Sequence, residues 1–281
     1  MAALAPHCGS AHVIGLTGSP GVGKSTSTTA LVGAFRERGL RVGVLAVDPS
    51  SPFSGGALLG DRVRMQDHAL DPEVYIRSMA SRGHLGGLSW TTPQAIRVLD
   101  AAGCDIVLVE TVGVGQSEVE IAGLADTSVV LLAPGMGDGI QAAKAGILEI
   151  GDVFVVNKSD RDGADATVRD LRHMISLGDR SEPGLWRPPV VKTIASQRVG
   201  LEEVMEALDK HRAHLSANGH LDRRRQRRAA EEIQSIALAS LRARFGDVPG
   251  HEGLAALARQ VVEGETDPFA AADRLLDHLD V

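Results

Sequence analysis

The sequence predicts an α/β fold in which a mainly parallel sheet lies between helices and a helical arm follows. Three observations carry this expectation. The chain is 43% hydrophobic but only 3% aromatic, so its core is built from Ala, Val, Leu and Ile, the residues of strands buried on both faces. Short apolar runs recur over residues 12–193, separated by Gly-, Pro- and Asp-containing loops. Between the first such run and the first helical pattern stands Gly-Ser-Pro-Gly-Val-Gly-Lys-Ser at 18–25, which fits G-x-x-x-x-G-K-[ST].

Residues 1–11 are short, small and polar and read as a loose leader. His7, Cys8 and His12 stand near one another but lack a ligand spacing such as C-x₂-C, so they read as ordinary surface residues rather than a metal relay. Residues 12–17 form a buried strand, and 25–38 carry apolar residues at helical spacing. Strand, glycine loop and helix N-terminus thus come in the order that phosphate binding requires, with the helix dipole adding its positive end. The expected phosphate loop comprises Gly18, Ser19, Pro20, Gly21, Val22, Gly23, Lys24, Ser25 and Thr26. Lys24 is to reach the β- and γ-phosphates, and the Ser25 hydroxyl is to sit on Mg²⁺.

A second strand over 41–47 ends at Asp48, where ligands of open α/β sheets gather. Asp48 is a candidate for the Mg²⁺ shell; the alternative is an Asx-turn opening 48–52. The Gly-, Ser- and Pro-rich stretch that follows, ending Gly60-Asp61-Arg62-Val63-Arg64-Met65, reads as a binding or switching loop. A strand over 74–79 and a helix over 93–102 precede a central strand at 106–109, which delivers Glu110 to its C-terminal edge. Glu110-Thr111-Val112-Gly113 then has the spacing that lets a carboxylate hold a Mg²⁺-bound water while the glycine amide reads the γ-phosphate.

A strand over 128–133 leads into the glycine-rich 134–139 and a helix containing Lys144. Residues 153–156 form another strand and run straight into Asn157-Lys158-Ser159-Asp160. N-K-x-D at a strand end reads guanine: Asp160 accepts from the ring N1–H and the exocyclic amine, Asn157 meets the opposite edge, and the Lys158 stem lies along the base. Adenine would leave that carboxylate facing a lone pair, so GTP and GDP are expected in place of ATP. The last strand, 189–193, precedes Ile194, Ala195 and Ser196, where a further base-contacting loop belongs, and a helix over 200–215 closes the nucleotide domain at 12–215. Residues 216–281 form an arm with helical patterns over 220–245, 252–262 and 268–279. The arginines at 223–228 stand beside Asp222, Glu231 and Glu232 and read as a solvated or partner-facing stripe.

The net charge of -7 and a pI near 5.8 argue against nucleic acid or an anionic membrane as an obligatory partner. Two distant cysteines, Cys8 and Cys104, predict no disulfide and fit a reducing cytoplasm. No run of 18 apolar residues and no secretion signal is legible.

These stretches together resemble the MeaB-type GTPases, relatives of the methylmalonic aciduria type A protein. The likeness runs from about Val13 to the end and rests on 18–26, 47–52, 60–65, 110–118 and 157–160. Ser19 stands where the dimeric MinD-type ATPases carry a second lysine. The resemblance implies a homodimeric P-loop GTPase that chaperones an adenosylcobalamin-dependent acyl-CoA mutase, gating cofactor delivery from an adenosyltransferase and ejection of damaged cofactor. It implies that Asp48, Asp61 and Glu110 surround Mg²⁺ and the γ-phosphate, that 133–144 is an additional switch loop, and that the arm is the dimerisation element. Two departures are visible: few residues precede the first strand, and Ile194 replaces a common Ser. A kinase or transport ATPase and a metal-insertion GTPase are the competing readings, disfavoured by N-K-x-D and by the lack of a Cys/His cluster. Intrinsic hydrolysis is expected to be slow, because Val114 follows Gly113 where Ras-like proteins place a glutamine.

Overall fold

The computed structural model describes residues 1–48, 65–68, 70–80, 91–111, 117–135, 146–177, 184–217, 219–244 and 252–277. The strands are β1 (His12–Thr17), β2 (Val42–Asp48), β3 (Val74–Ala80), β4 (Ile106–Glu110), β5 (Thr127–Leu132), β6 (Val153–Val156) and β7 (Val190–Lys192). They pair in parallel throughout, in the order β3-β2-β4-β1-β5-β6-β7. The helices are α1 (Lys24–Glu37), α2 (Thr92–Ala101), α3 (Ser117–Leu124), α4 (Gly146–Ile150), α5 (Ala164–Leu177), α6 (Leu201–Ala217), α7 (His220–Arg244), α8 (Glu252–Val262) and α9 (Pro268–Asp277).

Alternation along the strands sorts side chains into two helical layers, as a period of two requires. Ile14 and Leu16 of β1 join Leu31, Val32 and Phe35 of α1 and Met205 and Leu208 of α6. Val13, on the other face, joins Leu99 of α2 and Ile121 of α3. α1, which follows β1, therefore packs on one face, while α3, which follows the neighbouring β4, packs on the other. The carboxyl ends of these two strands are thus a topological switch point, the place where open parallel sheets bind ligands.

Every strand expected from sequence is present, within a residue or two at each end. Sequence analysis places no element over 164–177, yet α5 is there. Its buried residues, Ala164, Thr167, Val168 and Leu171, repeat at i, i+3, i+4 and i+7, a helical stripe masked by Thr, Val, Asp and His, which favour helices weakly.

The leader is not loose. Ala2–His7 forms a short 3₁₀ helix, and the Asp100 carboxylate gathers the backbone N–H groups of Gly9, Ser10 and Ala11 at 2.5, 3.2 and 2.9 Å. The arginine stripe also departs from expectation. Arg224 and Arg225 point inward, bound to Asp152 and Asp126.

The chain divides into two compact units, Met1–Arg225 and Gln226–Val281. Within the second unit α8 packs on α9, and Ile233, Ile236, Leu238 and Leu241 of α7 are exposed.

Candidate functional site

The phosphate loop leaves β1 on backbone angles that only glycine adopts readily: Gly18 has φ 141°, Gly21 82° and Gly23 97°. Space imposes the same choice. A Cβ on Gly18 would run into the Leu131 carbonyl oxygen, and one on Gly23 would lie 2.5 Å from the Asn157 amide nitrogen. Gly23 caps α1 in the left-handed region, so the first backbone N–H groups of the helix open toward the loop. Lys24 is buried and curls back over the loop, its Nζ donating to Gly18 O at 2.7 Å and Ser19 O at 3.2 Å.

The pairing of β1 with β4 sets Leu16 opposite Glu110, which brings the carboxylate beside the root of the loop. Glu110 is buried at 4% exposure and receives a hydroxyl at each oxygen. Ser25 Oγ donates to Oε1 at 2.7 Å, and Thr28 Oγ1 lies 3.0 Å from Oε2. Burial of a carboxylate is costly without such donors. The β2–β4 register, Ala46 opposite Glu110, puts the backbone of Asp48 at the same sheet edge. The Asp48 side chain, Asp61, residues 112–116 and 136–145 lie outside the described residues, so of the expected switch loop only Ala133, Pro134 and Gly135 are placed.

At the end of β6 the Asn157 side chain is buried and bonded within the protein. Its Nδ2 donates to Val22 O of the phosphate loop at 2.9 Å, while Oδ1 accepts from Thr193 Oγ1 at 3.1 Å and from Ala195 N at 3.0 Å. Lys158, at φ 56°, sends Nζ to Gly21 O at 2.6 Å. Two members of the guanine motif thus hold the phosphate loop directly. Asp160 is exposed, with its carboxylate accessible to a base. Ile194 closes a small bridge with Val199, and Ala195 and Ser196 face a cleft of about 580 Å³. Ser25, Thr26, Thr29, Gly33, His68 and Arg198 also line that cleft, which runs along the side of α1 from its first turn.

Sequence reasoning missed Thr28 and Thr193. Thr28 was signalled by spacing: three residues beyond Ser25 it shares that residue's helix face. Thr193 had no comparable signal. His12, weighed as a metal relay, is buried with its Nε2 2.8 Å from Thr127 Oγ1. Among the described residues no group of three His, Cys, Asp or Glu side chains could hold a metal ion, and no helix is long and apolar enough to cross a membrane.

A parallel sheet whose first strand ends in this loop, with an acid on the adjacent strand and N-K-x-D two strands over, defines the class: a P-loop GTPase. The chain belongs to the MeaB family, methylmalonyl Co-A mutase-associated GTPases, whose sequence model matches residues 1–248. A Pyrococcus abyssi protein bearing a GTPase name is 47% identical over 275 residues, 98% of this chain and 85% of that one. GTPase ArgK of Escherichia coli is 40% identical over 83% of this chain and 71% of its own length. The mitochondrial methylmalonic aciduria type A homolog of Mus musculus is 38% identical over 94% of this chain and 64% of its own. Among solved structures, that of an LAO/AO transport system kinase superposes with a TM-score of 0.75 at 29% identity, covering 100% of this chain and 85% of the other. Nickel-bound HypB of Helicobacter pylori shares the fold alone, at a TM-score of 0.54 and 17% identity over 73% of this chain and 88% of its own. The protein is therefore a GTPase, and guanine nucleotide is its ligand.

Proposed function

We propose that this GTPase is a G-protein chaperone of an adenosylcobalamin-dependent acyl-CoA mutase, gating cofactor loading from the adenosyltransferase and protecting or reactivating the mutase. One observation carries the reading: a single loop is tied to the acid of β4 through Ser25 and to the guanine motif of β6 through Asn157 and Lys158. A change at the phosphates therefore reaches two strands at once, which a switching protein needs and a simple binder does not. The family's association with methylmalonyl-CoA mutase and the aciduria-linked mouse relative support the choice of partner.

In this reading Lys24, Asp48, Asp61 and Glu110 form the catalytic set, and Asn157, Lys158 and Asp160 with Ile194, Ala195 and Ser196 receive the base. The hydroxyl of Ser25 and the carboxylates of Asp48 and Glu110 are hard oxygen donors suited to Mg²⁺. When bound, that ion neutralises charge on the β- and γ-phosphate oxygens. Residues 133–144 transmit the nucleotide state. The arm over 216–281 makes a homodimer, which would cover the exposed Ile233 and Ile236. The protein works in the cytoplasm, where its two free cysteines stay reduced.

The test mixes the protein with methylmalonyl-CoA mutase and follows GTP hydrolysis and cobalamin transfer. Alone, turnover is expected below about 1 s⁻¹, rising on addition of the mutase, with transfer differing between GTP and GDP. If the mutase changes neither rate and the nucleotide does not alter transfer, the chaperone reading is wrong. Label from the γ-phosphate should appear as inorganic phosphate; its arrival on a small-molecule or protein acceptor would favour a kinase.

A further inference from the structure

We infer that Thr28 is a positioning residue that keeps the Glu110 carboxylate aimed at the metal and phosphate site when Ser25 turns away from it. The inference rests on the reading of Ser25 and Glu110 as Mg²⁺-site residues given above. Thr28 is fully buried in α1. Its Oγ1 stands 3.0 Å from Glu110 Oε2 and 3.0 Å from Lys24 O. The hydroxyl carries one hydrogen, and the charged carboxylate is the stronger acceptor of the two.

Ser25 and Thr28 lie at i and i+3 of one helix and so present two hydroxyls to the two oxygens of the same carboxylate. Two contacts, one at each oxygen, restrain the carboxyl plane more than either does alone. The two hydroxyls nevertheless have different duties. Ser25 is the residue whose hydroxyl a P-loop would give to the cation, and doing so would release Oε1. Thr28 is four residues beyond Lys24, one turn deeper, and stays on Oε2. Without it, Glu110 would lose a donor in a buried place at the moment its orientation matters.

The experiment compares Thr28→Val, which removes the hydroxyl while keeping the branched shape, with Thr28→Ser, which keeps the hydroxyl. Dissociation of a fluorescent GTP analogue is measured while Mg²⁺ is titrated, and again in EDTA. Thr28→Val is expected to raise the Mg²⁺ concentration needed to slow dissociation about tenfold, the size of one hydrogen bond to a charged group. Affinity in EDTA should stay within about twofold, and Thr28→Ser should restore the wild-type Mg²⁺ dependence. Equal Mg²⁺ dependence for Thr28→Val and wild type overturns the inference. So does a Thr28→Ser protein that behaves like Thr28→Val, since packing and not the hydroxyl would then be at work. Glu110→Gln is run alongside: if it shifts the Mg²⁺ dependence and Thr28→Val does not, only the role of Thr28 falls. If Glu110→Gln shifts nothing, the reading of the site falls with it.

Discussion

The two edges of the sheet use the same residue type in opposite ways. At the amino-terminal edge, Asp105, Asp126 and Asp152 each stand one residue before a strand, and each accepts a backbone N–H at or next to the first residue of a neighbouring strand: Arg41 N at 2.8 Å, Val13 N at 3.1 Å and Ser128 N at 2.8 Å. Arg225 then grips both oxygens of Asp126, at 3.1 and 2.7 Å, and Arg224 those of Asp152, at 2.9 and 3.2 Å. At the carboxyl-terminal edge Glu110 is met by two hydroxyls, and Asp160 is exposed. Carboxylates saturated by backbone and guanidinium groups are fastened in place. Those held by hydroxyls or water can change partners, and ligand exchange depends on that freedom. Fastened carboxylates thus gather at one end of the strands, and the proposed nucleotide site lies at the other.

The largest test of this division is Asp160→Asn. An amide in place of the carboxylate turns an acceptor into a donor toward the 2-position of the base, so preference should move from guanine to xanthine nucleotides. The change in discrimination is expected to be on the order of 10⁴-fold, with the urea midpoint of the nucleotide-free protein unaltered. Calorimetry with GDP and xanthosine diphosphate reads the effect directly; unchanged selectivity would remove Asp160 from base recognition.

Arg225→Ala strikes the other edge. It strips Asp126, which is fully buried, of its guanidinium. Breaking a buried pair from one side costs about 3 kcal/mol, and denaturant unfolding should show it. Selectivity between GTP and ATP should stay at the wild-type value. A variant that kept its stability but lost nucleotide selectivity would dissolve the contrast between the edges.

A smaller effect of comparable kind follows from pH. His12 is pushed down to about 4, first by burial, with Asp126 opposing and the charges of Arg212, His211 and Arg225 adding to the fall. A histidine lowered in the folded state binds its proton more readily when unfolded. Its contribution is therefore complete above about pH 6.5 and is lost as pH falls toward 4, at most about 3 kcal/mol over that window. Replacing His12 by Asn should flatten this part of the stability profile. A wild-type curve that is level between pH 6.5 and 4 would show that the His12 site opens to water.

Much of this was legible in the chain. The phosphate loop, the strands on either side and N-K-x-D are local patterns, each fixed by neighbours a few residues away, and the glycines at 18, 21 and 23 follow from backbone sterics alone. Short continuous apolar runs sufficed to place the strands, because a strand buried on both faces must be apolar at nearly every position.

Tertiary structure alone decided which partners those residues take. Nothing local tells that Asn157 holds Val22, that Glu110 divides its oxygens between Ser25 and Thr28, or that two arginines from an exposed-looking run of charge bind Asp126 and Asp152. Such pairings join residues as many as 135 positions apart. They depend on the strand order that sets β1 between β4 and β5, and a sequence pattern records which groups are available but not which strands become neighbours.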